Sequence, residues 1–258
     1  MRTRLSSRAL AVVLVALMFV AASPLLAQQP IVVELFTSEG CSSCPPADAL
    51  LSQLSKQRNT TSVELILLEE HVEYWNGQGW NDRFSAPTFT QRQYEYEKQF
   101  HLASAYTPQV VIDGHVQTSG GNASAIQQRL AEAARAPKPA TVALNFVAPD
   151  KLQITATDAS NAKLRVLLAV TEDNLTTKVG GGENGGRVLK HDAVVRELRS
   201  LGTLSNGKFE KTVNVPDKSD WKKDDLRAIV LVQDESDDSI RGAASIRFIS
   251  HTPATAGR

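Results

Sequence analysis

An α/β domain followed by an all-β domain is the architecture this sequence predicts, and three observations predict it. Residues 31–36 form an apolar strand-like run, Ala47, Leu50, Leu51 and Leu54 repeat at helical spacing, and residues 63–68 are apolar again. Together they make a strand–helix–strand unit. A proline-rich stretch at 136–140 then interrupts the chain. Beyond it the period changes: Val142, Leu144 and Phe146 alternate with Ala143 and Asn145, as in a strand.

The first unit carries the chain's two cysteines, Cys41 and Cys44, as a C-x-x-C between strand and helix. That is the layout of a thioredoxin-like redox site. A helix N-terminus presents unpaired N–H groups and a partial positive charge, which favour a thiolate over a thiol. Pro45 and Pro46 suit a first helical turn, where a missing N–H costs nothing, and Asp48 suits the same turn. Cys41, ahead of the helix, is the expected reachable nucleophile; Cys44, a turn further in, is the expected resolving thiol.

The N-terminus reads as an export signal over residues 1–27. Arg2, Arg4 and Arg8 are its basic region, residues 9–22 its apolar core, and Leu25-Leu26-Ala27 its cleavage site. An uncleaved anchor is the rival reading, but the apolar core falls short of the roughly 20 residues that span a bilayer. No cysteine follows it to take a lipid. The whole chain balances 28 Lys+Arg against 28 Asp+Glu, and losing three arginines leaves acids in slight excess. There is no basic footprint for nucleic acid. In an oxidising compartment two cysteines this close cannot staple distant segments, so a redox or metal-binding pair explains them better than a framework disulfide.

Residues 28–135 are the expected thioredoxin-like domain. A right-handed crossover makes the strands at 31–36 and 63–68 parallel, so both end at one edge of the sheet. The segment after the second, with His71, Tyr74, Trp75 and Trp80, therefore comes to lie near Cys41; His71, Tyr74 and Trp75 are the expected substrate-binding wall. A second helix starts at a Ser85 cap with Pro87 in its first turn and runs to about Phe100, with Phe89, Tyr96 and Phe100 on one face. Residues 110–112 and 115–117 form a hairpin about Asp113-Gly114. Thr107-Pro108 sits at its start, facing the cysteines, and is the expected cis bond. A last helix, 123–135, is capped by Asn122 and puts Ile126, Leu130 and Ala134 on one face.

Residues 136–140 are the expected linker, and 141–250 an immunoglobulin-like β-sandwich, with further strands at 152–156, 164–170, 208–214, 226–233 and 243–248. Residues 251–258 are the expected disordered tail. The loop VGGGENGGR at 179–187 lacks the Gly-Lys-Ser/Thr ending of a phosphate loop and reads as a mobile inter-strand connection. Residues 188–198 read as a short helix or an edge strand, with His191 a surface or packing histidine.

Three stretches, VVELFTSEGCSSCPPADALL, HVEYWNGQGW and YTPQVVIDG, resemble the exported, thioredoxin-like family catalogued as domain of unknown function 1223. The resemblance spans about residues 30–135 and extends weakly through GENGGRVLKHDAVVREL. It implies a thioredoxin-like fold and leaves the substrate open. TPQVVIDG is also similar to the thioredoxin and glutaredoxin segment holding the cis-proline, here Pro108. Thioredoxins carry a tryptophan just before the first cysteine, where this chain has Gly40. They also carry a buried acid on the first strand near the position of Glu34, which implies Glu34 as proton acceptor for the second cysteine.

The expected function is an exported thiol–disulfide oxidoreductase with Cys41, Cys44, Glu34, Thr107 and Pro108 as catalytic residues. It needs no cofactor, and its partners are protein thiols or disulfides. Two alternatives stand beside it: Cu(I) bound by Cys41, Cys44 and His71, and a non-catalytic module whose sandwich binds a partner or glycan.

Overall fold

The fold is described by a computed structural model over residues 30–58, 63–216 and 218–248; the expected signal and tail lie outside the described residues. Strand β1 (Ile31–Thr37) and strand β2 (Leu65–His71) are parallel, joined by helix α1 (Pro45–Gln57). Thr37 pairs with His71 at their common end. β3 (Gln109–Ile112) returns antiparallel on the other side of β1, with Gln109 opposite Phe36, and β4 (Val116–Ser119) completes a hairpin. Asp113 and Gly114 both take positive φ at its turn, as an Asp-Gly hairpin requires.

Every residue of β1 and β2 is buried, because helices cover both faces. Ile31, Val33, Leu35, Leu65 and Leu67 pack on Ala47 and Leu51 of α1 and on Ile126 of α3 (Ala123–Ala133). Val32, Ile66 and Leu68 meet Phe89 of α2 (Pro87–Gln99), and Phe36 meets Tyr96. Each such aliphatic side chain contributes about 1.5–3 kcal/mol by leaving water. Asn122 caps α3, its side chain accepting the Ala125 N–H at 3.1 Å. The cap of α2 is Ala86, one residue past the expected Ser85, whose hydroxyl is occupied with the Asp82 carbonyl.

In the second half, β5 (Thr141–Ala148), β6 (Lys151–Thr157) and β11 (Lys208–Asn214) form a three-stranded sheet. Leu152 and Ile154 of that sheet pack across a core onto Val166, Leu168, Ala228 and Val230. Those four belong to β7 (Leu164–Glu172) and β12 (Leu226–Asp234), which with β10 (Val194–Thr203) and β13 (Ile240–Arg247) lie in another sheet.

That other sheet is the same one that holds β1 to β4. Its eight strands run β13-β12-β7-β10-β2-β1-β3-β4, so the two predicted halves share one mixed, mostly antiparallel sheet. The joint is β10 against β2, where Val194 pairs with Glu69 and the Glu69 N–H donates to the Ala193 carbonyl at 2.8 Å. The segment 188–198 is therefore strand and not helix, an edge strand in its first part and interior in its last. It holds β9 (Val188–His191), paired with β8 (Leu175–Lys178), and the start of the interior strand β10.

Candidate functional site

Cys41 and Cys44 are joined in a disulfide where β1 has ended and α1 begins. Cys44 is the N-cap of α1, and its carbonyl accepts the N–H groups of Ala47 and Asp48. Both cysteines are 0 % exposed, which corrects the expectation of a reachable Cys41. The covering segment is the glycine-rich loop 179–187. Asn184, itself fully buried, donates to the carbonyls of Glu39 and Cys41 at 2.9 Å each, and the Ser42 N–H donates to the Glu183 carboxylate at 3.1 Å. Close backbone approach requires the glycines: a Cβ on Gly181 would stand 2.3 Å from the Gly79 carbonyl oxygen. The loop expected to be a mobile connection is tied by these bonds to the C-x-x-C backbone.

Of the three expected wall residues, Trp75 stands against Gly40, next to Cys41 in the chain. A Cβ on Gly40 would lie 3.2 Å from the Cβ of Trp75, so the absence of a side chain there admits Trp75 beside Cys41. The Trp75 indole N–H donates to the Thr107 hydroxyl at 2.8 Å. The Thr107-Pro108 bond is cis, as the sequence predicts. Gly120 fits between Pro108 and α1, since a Cβ on it would lie 2.8 Å from Pro108 and 2.9 Å from Ala47. Tyr74 turns away to α2, donating to Gln93 at 3.1 Å, and burial lifts its hydroxyl to a pKa of about 12.

Glu34 is buried but not beside the cysteines. It shares a face with Val32 and Phe36, opposite α1, where Arg92 of α2 donates to one of its oxygens and the Tyr96 hydroxyl to the other. Arg92 also reaches Gln233 of β12 at 3.1 Å. Glu70 lies 3.6 Å from Arg92, and burial together with the Glu34 charge raises it well above the carboxylate range. This cluster fastens α2 across the sheet.

The acid on the cysteine helix is Asp48, one turn past Cys44. It accepts from the Thr37 hydroxyl at 2.6 Å. Burial, then the nearby Glu69 charge, lift its pKa to about 7. Behind it lies a network that sequence reasoning did not assemble. His71 Nδ1 contacts Asp82 Oδ2 at 2.7 Å, and the other side of the ring faces Glu69. Burial opposes charge on the His71 ring, yet Asp82 and Glu69 outweigh it and raise its pKa well above the usual value. Burial also opposes the Asp82 charge, but His71 and the N–H groups of Glu39 and Phe84 hold it near 2. His191 Nδ1 contacts Glu69 Oε1 at 2.6 Å, and despite burial Glu69 and Glu39 lift the imidazole to about 10. The one available signal was Glu69-x-His71, which on a strand places both side chains on one face.

His71 thus engages Asp82 and Glu69, and the two sulfurs are bonded to each other, so Cys41, Cys44 and His71 do not form a ligand set in this structure. Among the described residues no helix is long and apolar enough to cross a membrane.

The profile of the family described as "Protein of unknown function (DUF1223)" matches residues 32–233. The crystal structure of protein AGR_C_4864 from Agrobacterium tumefaciens is similar at 25 % identity and a TM-score of 0.68, covering 87 % of this chain and 97 % of that one. A domain of the outer membrane lipoprotein Omp28 from Porphyromonas gingivalis aligns at 12 % identity and a TM-score of 0.28, over 43 % of this chain and 88 % of its own. No curated protein matches the chain.

Proposed function

The chain belongs to the DUF1223 family, and from its own residues we propose that it is a thiol–disulfide oxidoreductase acting outside the cytoplasm. The observation that carries this reading is the Cys41–Cys44 disulfide at the start of α1, in a chain that also has Trp75 against Gly40 and a cis Thr107-Pro108 bonded to that tryptophan. The order β2-β1-β3-β4, with β1 and β2 parallel and β3 antiparallel, supports a thioredoxin-like reading of the first half. The facing sheets around Leu152 and Ile154 support an immunoglobulin-like sandwich in the second. Export rests on the basic and apolar character of residues 1–27.

In the reduced form, a Cys41 thiolate attacks a client disulfide, forming a mixed disulfide and expelling one client thiolate. Cys44 then gives up its proton and attacks Cys41 Sγ. The second client thiolate leaves, the Cys41–Cys44 bond re-forms, and two electrons have passed to the client. Asp48 is the group placed to take the proton, since it lies on the same helical face and its pKa is near neutrality. The 179–187 loop must lift for a client to reach either sulfur, so the cover selects which clients are met.

Replacing Cys44 with serine should accumulate mixed disulfides with exported proteins, visible on non-reducing gels, and replacing Cys41 should accumulate none. Equal trapping by both variants, or trapping by neither, would overturn the exchange mechanism.

A further inference from the structure

The buried histidines behind the disulfide are spaced for something larger than a hydrogen bond. One ligand atom from each of Glu69, His71 and His191 lies within 4.8 Å of the others. His71 Nε2 stands 3.3 Å from Glu69 Oε1, and His191 Nε2 stands 3.6 Å from Glu39 Oε1. Neither nitrogen, nor Glu39 Oε1, has a hydrogen-bond partner among the described residues, and all three side chains are fully buried. Leaving such groups unmatched in a dry interior is unfavourable, and a bound ion would match all three. A tetrahedral cation with ligands at about 2.0–2.2 Å holds its donors roughly 3.3–3.6 Å apart. These two gaps fall in that range; a third, His191 Nδ1 to Glu69 Oε1 at 2.6 Å, is shorter and has to open for an ion to enter.

We propose that Glu69, His71 and His191 form a closed structural site for a divalent cation of the zinc class, with Glu39 as the adjoining carboxylate. The surroundings are those of a metal site. His71 presents Nε2 inward because Nδ1 is engaged by Asp82 at 2.7 Å, the carboxylate–histidine arrangement that orients a metal-bound imidazole. The Trp80 indole N–H fixes Glu39 by donating to Oε2 at 2.8 Å. Phe84 packs edge-on against both imidazoles, at 5.3 and 5.8 Å, and helps keep the site dry. Four carboxyl groups, Glu39, Asp48, Glu69 and Asp82, converge on two imidazoles, so the pocket is short of positive charge. Imidazole nitrogen with carboxylate oxygen suits zinc, and full burial leaves no open position for a substrate.

The site uses neither sulfur, so it stands whether or not the thiol chemistry does. The full chain, with Cys41–Cys44 kept oxidised, is stripped with dipicolinate, given zinc alone and passed through gel filtration. One zinc per chain should remain, and its X-ray absorption spectrum should show imidazole nitrogen and oxygen without sulfur. Asp82→Asn keeps every ligand and should weaken zinc binding about 10- to 100-fold. The Cys41→Ser, Cys44→Ser double variant should bind as the wild type does. Zinc lost on gel filtration, sulfur in the spectrum, dependence on the cysteines or an Asp82→Asn affinity equal to wild type would each overturn the site. His191→Gln should abolish binding and retained binding overturns the proposal; if that variant does not fold, the wild-type spectrum decides the ligand set.

Discussion

Asn184 donates its side-chain amide to the Cys41 carbonyl at 2.9 Å, across a sequence separation of 143 residues. One side chain from the second half of the protein thereby ties down the cysteine pair of the first half. Asn184→Ala removes this bond and its twin to the Glu39 carbonyl. At about 1 kcal/mol each, the loss should speed reduction of the disulfide by dithiothreitol roughly tenfold or more. An unchanged reduction rate would mean the loop does not limit access.

Gly181→Ala attacks the same cover from the backbone side. Its new Cβ would stand 2.3 Å from the Gly79 carbonyl oxygen, too close to accommodate without moving the loop. Faster reduction, with little change in far-ultraviolet circular dichroism, is the expected pair of results. A normal rate in a folded variant would show that the loop seats without that close approach.

Asp48 sets a pH dependence whose sign follows from its environment. Burial, then Glu69, raise its pKa from 3.8 to about 7, so the folded chain holds this proton more tightly than the unfolded one. The stabilisation is full below about pH 4 and lost as pH rises through about 7. Asp48→Asn, which carries no charge to bury, should therefore raise Tm by about 2–4 °C or more at pH 8 and change it little at pH 4, in metal-free protein. The same shift at both pH values would assign the effect to packing instead.

Glu34 belongs to stability and not to exchange. Glu34→Gln leaves Arg92 buried beside Glu70, which can give up its own proton and take over as the counter-charge. The single variant should cost less than the roughly 3–5 kcal/mol of a broken buried pair, and the Glu34→Gln, Glu70→Gln double variant should cost that full amount in urea unfolding. Neither should alter the redox potential of Cys41–Cys44. A shifted potential would restore Glu34 to the site.

What was legible in the sequence was local. The C-x-x-C, the Asp113-Gly114 turn, the Asn122 cap and Thr107-Pro108 each announce themselves within a few residues, because backbone geometry there depends on near neighbours. Which face of β1 meets α1 is decided by tertiary packing, so nothing in the sequence tells that Glu34 faces α2 while Asp48 is the buried acid on the cysteine helix. His191 and Asn184 reach the cysteine end of the molecule through contacts with residues more than a hundred positions earlier, and no period or spacing encodes those. The joint at Val194 was hidden for a related reason: a strand of mixed polarity becomes interior once a second sheet segment pairs with it.

The pairing of Asn184 with Cys41 also imposes an order on how the protein comes into being. Synthesis delivers the cysteines well over a hundred residues before Glu183, Asn184 or His191 exists. During that interval the pair is uncovered, open to whatever donor or acceptor of electrons attends the emerging chain. Once the loop docks, every later exchange waits on its opening. The first oxidation state of the pair is thus set by the surroundings in which the first half was made.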